Sequence, residues 1–211
     1  KHLQSNGIAV LLPDKRGSEK SGGKWLGAGF EELATDTLSA IEYVMNQDTF
    51  EQSTIGLVGM SQGGWIAPVV ASKSDNVSFV AVMSGASVTT YEQLLHEEVN
   101  NIAPYTYNFI AKLIAPISSR NLLKKNSIVA YAGFDPIPYW KSINVPVFFA
   151  FGGNDKYVPV EDSISKLKEN NLDHFEIKTY KNGGHAIRNF QTNEVSEEYL
   201  NDLVRFIKGI K

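Results

Sequence analysis

A serine stands between two glycines, each two residues away, in Gly59-Met60-Ser61-Gln62-Gly63. An apolar, β-branched run from Thr54 to Val58 precedes it and helix-forming residues follow. Strand, tight turn and helix in that order make the setting of a nucleophile elbow, where the serine takes strained backbone angles and needs small neighbours. Such a turn presents the hydroxyl, and the next N–H, that of Gln62, lies near a helix N-terminus that favours developing negative charge. Ser61 is therefore the candidate nucleophile and the Gln62 backbone N–H the candidate oxyanion donor. A serine hydroxyl is a poor nucleophile at neutral pH, so it needs a base to take its proton and a carboxylate to orient that base. His185, in Gly183-Gly184-His185, is the candidate base, and Asp155, in Gly152-Gly153-Asn154-Asp155, the candidate acid. Hydrolysis through such a base rises with pH as the imidazole loses its proton.

Other residues compete for these roles. Asp135, before Pro136, and Asp162, inside a helical stretch, are alternative acids. His2, His96 and His174 read as structural or solvated, and none has the spacing of a metal set. No metal and no cofactor is expected. Gly17 and Gly22 have the separation of a phosphate-binding loop, but Gly23 stands where that loop needs lysine, so the stretch reads as a tight turn held by an Asp14–Arg16 contact.

The elements that must position these residues follow from hydrophobic period. Residues 1–6 read as the end of a helix stopped at Asn6-Gly7, and Ile8–Leu12 as a strand ended by Pro13. Apolar spacing of three and four predicts a helix from Phe30 to about Gln47. Helix 63–74, with Pro68 inside it, and strand Val77–Met83 come after the elbow. From 86 to 144 the pattern is helical and rich in aromatics, too long for an ordinary connection, so it reads as a cap inserted between 1–85 and 145–211. Strand Val145–Phe151, helix 160–170, strand Phe175–Tyr180 and a final helix 194–210 complete the chain. The alternation means an α/β fold, a mainly parallel sheet with helices on both faces. Ligands bind beyond the carboxyl ends of such strands, which brings Ser61, Asp155 and His185 to one edge. Tyr91 and Tyr107 of the cap, Trp65 after the elbow and Tyr157 in the acid loop are candidates to line the pocket.

Composition narrows the partners. The 211 residues suit one domain, and 20 basic against 23 acidic residues show no excess for binding nucleic acid. With no cysteine, disulfides and thiol nucleophiles are excluded. The longest apolar run, Val145–Phe151, is far short of the ~20 residues of a membrane span, and no membrane is expected as a partner.

Jointly the motifs resemble the α/β-hydrolase superfamily, specifically its serine esterase, prolyl-oligopeptidase-like and dienelactone-hydrolase-like branches. The carriers are Asp14-Lys15-Arg16-Gly17-Ser18, the elbow at 59–64, the acid loop at 152–159, the histidine loop at 183–185, and the order serine, aspartate, histidine. The resemblance implies hydrolysis of an ester, thioester or amide through an acyl-enzyme on Ser61. It excludes haloalkane dehalogenation, which needs aspartate at that position. The substrate implied is a small-molecule ester, or a short peptide if the chain is a peptidase; a catalytically inert binding module is the remaining alternative. One departure lies at the front: the strand that in this fold separates Ile8–Leu12 from the elbow strand, and carries the second oxyanion donor, has no counterpart. That points to a preceding segment or a partner chain, such as a second copy, completing the sheet.

Overall fold

The computed structural model describes residues 1–50, 53–189 and 191–210. Four strands, β1 (Gly56–Met60), β2 (Phe79–Met83), β3 (Val147–Gly152) and β4 (Glu176–Tyr180), form one parallel sheet in chain order. The helices are α1 (His2–Ser5), α2 (Phe30–Met45), α3 (Gly63–Ala71), α4 (Thr90–Ile102), α5 (Asn108–Leu122), α6 (Ile137–Ser142), α7 (Val160–Glu169) and α8 (Glu197–Lys208).

Alternation along the strands builds two cores. Val80, Val82, Val147, Phe149 and Phe151 point to one face, where α2, α3 and α7 contribute Leu33, Val69 and Leu167. Phe79, Ala81, Phe148 and Ala150 point to the other, met by Tyr199, Leu203 and Phe206 of α8, with Leu3 of α1 packed beside them. Burial on both faces is why β3 reads as a continuous apolar run. Helix ends follow local chemistry: Glu31 and Glu32 open α2, and Thr89 and Glu92 close a reciprocal capping box on α4.

The expected strand at Ile8–Leu12 is not in the sheet. The segment pairs with no strand among the described residues, and Val10, Leu11 and Leu12 face outward, with Leu12 88% exposed. The physical reason is that no strand among the described residues stands between this run and β1, so nothing beside the run supplies its ladder, and the far side of β1 is left unpaired as well. Val58 and Met60 of β1, on the face they share with Ala81 and Met83, are exposed. The expected Asp14–Arg16 contact is also replaced. Arg16 pairs with Glu32 and with Asp36, the latter at 2.6 Å, tying this loop to α2, while Asp14 accepts from the Lys20 N–H at 3.4 Å.

Between β2 and β3 the described chain is helical. α4 and α5 pack on each other, and Asn100 of α4 donates to the Lys156 carbonyl at 2.9 Å, seating α4 on the loop after β3. No described helix is long and apolar enough to cross a membrane.

Candidate active site

β1 ends one residue before Ser61, whose N–H donates to the Met83 carbonyl at 2.9 Å and so fixes the turn to the end of β2. Ser61 has φ +51°, a left-handed conformation that costs a non-glycine residue energy and is held by surrounding structure. The glycines around it are not equivalent. A Cβ on Gly59 would lie 2.4 Å from the Gly63 carbonyl oxygen, so that position must stay bare. A Cβ on Gly63 would meet nothing within 4 Å, whereas one on Gly64 would lie 2.7 Å from the Gly85 Cα. The tight approach of elbow and β2 loop is thus a Gly64–Gly85 contact, which the serine-centred spacing does not reveal. The Gln62 N–H donates to no group among the described residues, which leaves it available at the start of α3.

The loops after β3 and β4 are joined to each other. Gly153 N–H donates to the Tyr180 carbonyl at 2.8 Å and Asn154 N–H to the Gly183 carbonyl at 2.9 Å. A Cβ on Gly152 would lie 2.1 Å from the Gly184 oxygen, so the two loops meet backbone to backbone. Within this frame the Asp155 side chain is fully buried and its Oδ1 accepts from the N–H groups of Tyr157 at 2.9 Å and Val158 at 3.1 Å. The His185 Nδ1–H donates to Asp155 Oδ2 at 2.9 Å. A carboxylate can only accept, so this contact places the proton on Nδ1 and leaves Nε2 as the basic nitrogen. Of the competing acids, Asp135 caps α6 through the Ile137 N–H at 3.0 Å, and Asp162 lies in the first turn of α7. The Ser61 hydroxyl and His185 Nε2 make no hydrogen bond among the described residues; they share the C-terminal edge of the sheet, where substrate-free geometry is commonly loose.

The surroundings of His185 come from the acid loop and α4. The Tyr157 ring stands edge-on to the imidazole, centroids 5.0 Å apart. Burial pushes the Glu97 carboxyl above its ordinary range, Glu98 adds to this, and His185 opposes it. Burial lowers the His96 imidazole, against Asp162 and Asp155, and Asn100 bridges its Nε2 to the acid loop at 2.9 Å. Glu97, His96 and Asn100 lie four or fewer residues apart in one helical stretch and carry no motif. Only packing of α4 onto the loop discloses them.

A cavity of about 700 Å³ opens beside Ser61, walled by Lys15, Arg16, Asp36, Gln62 and Ile66. A second, of about 410 Å³, lies around Asn182, Ile187 and Ser196 and does not include Ser61. Of the expected lining residues, only Tyr157 is beside the imidazole. Trp65 is instead a core residue, buried against Phe30 and Phe134 because α3 turns that face toward α2. Tyr107 projects outward and stacks on Phe109, and Tyr91 is half-buried in the first turn of α4.

The fold recurs in known structures. An esterase of Pyrococcus furiosus superposes with a TM-score of 0.71 at 21% identity, over 99% of this chain and 72% of that one. A monoacylglycerol lipase of Paleococcus ferrophilus gives 0.66 at 20%, over 99% and 86%. An acylaminoacyl peptidase of Pyrococcus horikoshii gives 0.58 at 17%, over 85% of this chain and 28% of that one. These likenesses establish the α/β-hydrolase fold. Sequence matching places residues 1–210 in the prolyl oligopeptidase family, and the chain is therefore a member of that family within the α/β-hydrolase superfamily.

Proposed function

We propose that this chain is a serine hydrolase that cleaves carboxylic esters of small or medium acyl groups. Ser61 Oγ attacks the ester carbonyl carbon while His185 Nε2 takes the hydroxyl proton, and Asp155 stabilises the resulting imidazolium through Nδ1. The Gln62 N–H donates to the carbonyl oxygen as it gains negative charge. Collapse of the tetrahedral intermediate breaks the C–O bond, and the imidazolium returns its proton to the leaving alcohol. Water, deprotonated by the same imidazole, then attacks the acyl-enzyme and regenerates the Ser61 hydroxyl. The helical insertion acts as a cap that excludes water and walls the acyl site. The observation that carries this reading is the buried Asp155–His185 contact at 2.9 Å, on the sheet edge that also holds Ser61 at φ +51°.

A second reading, cleavage of short peptides or amides, is favoured by the family match, since the same residues serve either leaving group. One experiment separates the readings. The chain and Ser61→Ala are each incubated with a fluorophosphonate probe, p-nitrophenyl acetate and an aminoacyl amide. Labelling and ester turnover that vanish in Ser61→Ala support the esterase; turnover of the amide alone supports the peptidase. Absence of labelling in the unaltered chain would leave an inert binding module.

A further inference from the structure

α5 is amphipathic in the reverse sense. The side it buries against α4 carries Ala111, Ala115 and Ser119, small residues that permit close packing. The opposite side carries Phe109, Leu113 and Ile117, exposed by 65%, 70% and 63%. A helix of a globular core turns its large apolar residues inward, because burying them is what holds it in place. Here positions 109, 113 and 117 recur every four residues and form one outward stripe. Tyr105 and Tyr107, also exposed, extend it at the N-terminal end. Large exposed apolar side chains grouped on one face, rather than scattered singly, mark an interaction site.

Charge says what covers it. Between Glu98 and Asp135 the charged residues are Lys112, Arg120, Lys124 and Lys125, all basic, in a chain whose net charge is −3. At a helical period Arg120 continues the outward stripe past Ile117, and Lys124, exposed, follows in the turn just after the helix. A second copy seated on this face would bring the same four cations and no carboxylate from its own α5 segment, an uncompensated contact. An anionic lipid surface answers both halves of the pattern. Headgroups take the cations, and the apolar side chains enter the boundary between headgroups and acyl chains. At 15 residues with three charges or prolines interrupting it, α5 is too short to span a bilayer and lies in its plane.

We propose that the outward face of α5 is a docking surface for an anionic lipid bilayer. Short apolar runs exclude a span, but an in-plane helix needs none. This proposal does not rest on the hydrolase reading, because it is tested by binding alone. The intact chain is floated with vesicles of phosphatidylcholine, or of phosphatidylcholine with about one-third phosphatidylglycerol. It should float only with the anionic vesicles, and binding should weaken by about tenfold or more as salt rises from ~0.1 M to ~0.5 M. The combined change Phe109→Ser, Leu113→Ser and Ile117→Ser should lower binding about tenfold or more, and so should Arg120→Glu with Lys124→Glu. All five side chains are exposed, and circular dichroism verifies that each variant is folded. No flotation with either vesicle would overturn the proposal, as would equal binding to neutral vesicles that ignores salt and charge reversal. It is overturned too if sedimentation shows a dimer that the serine variant abolishes while vesicle binding is nil.

Discussion

The Lys15 ammonium donates to the Gln62 side-chain oxygen at 2.7 Å, joining two residues 47 positions apart. The same ammonium lies 4.8 Å from the centre of the Trp25 ring, which fixes it from a second side. Gln62 supplies the proposed oxyanion N–H, so the contact ties the loop before α2 to the atom on which negative charge develops.

Lys15→Met should therefore lower kcat by roughly tenfold, a cost of imprecise placement. Gln62→Met should produce a similar loss, and the double variant no more than either alone, because both act through one contact. Additive losses in kcat would show that Lys15 does not work through Gln62.

Asp155→Asn removes the acceptor that sets the imidazole tautomer, since the new amide presents N–H groups to Nδ1. kcat should fall by about 10⁴ with the fold retained. Asp135→Asn, at the start of α6, should leave kcat as it is and lower stability by about 1 kcal/mol at most. Equal losses of activity in the two variants would remove Asp155 from its role.

Two neighbouring glycines should respond oppositely to alanine. Gly63→Ala meets open space and lies in a helix, so the melting temperature should hold or rise, by about 0.4–1 kcal/mol of stability. Gly64→Ala drives a methyl toward the Gly85 backbone and Val82 and should cost about 1–3 kcal/mol. Chemical denaturation of the pair checks both signs.

Glu97 has a raised carboxyl, chiefly through burial, so the folded chain holds its proton more tightly than the unfolded one. Its ionisation then opposes folding above the ordinary carboxylate range and has no effect well below it. Glu97→Gln should melt above the unaltered chain near neutral pH, and the gap should close as pH falls through about 4. A gap constant across pH would assign the effect to packing alone.

Asp202 behaves in the opposite sense. Burial pushes its carboxyl up, but hydrogen bonds from Lys178 at 2.6 Å and Tyr180 at 2.7 Å outweigh this and hold it below its ordinary range. The stability it contributes is present above the unfolded value and lost as pH falls through the folded one. Asp202→Asn should cost about 1–2 kcal/mol at neutral pH, a difference that disappears in acid. An undiminished difference in acid would refute the linkage.

Order along the chain settled much of this molecule without coordinates. Strand and helix periods, a serine between glycines after a strand, and glycine-rich loops after the last two strands are short-range properties, each legible within about ten residues. From them follow the parallel sheet and the common edge of Ser61, Asp155 and His185.

Which partner each residue meets was decided only by the closed fold. Ile8–Leu12 has a strand's composition, yet a strand exists only where a neighbour supplies its hydrogen bonds, and no strand among the described residues lies beside it. Trp65 carries nothing in its local sequence to say that its ring faces Phe30 rather than substrate. The outward stripe of α5 has the period of any buried helix, and only the seating of Ala111 and Ala115 on α4 turns it to solvent. Period says that a face exists; the packing of distant segments says what that face touches.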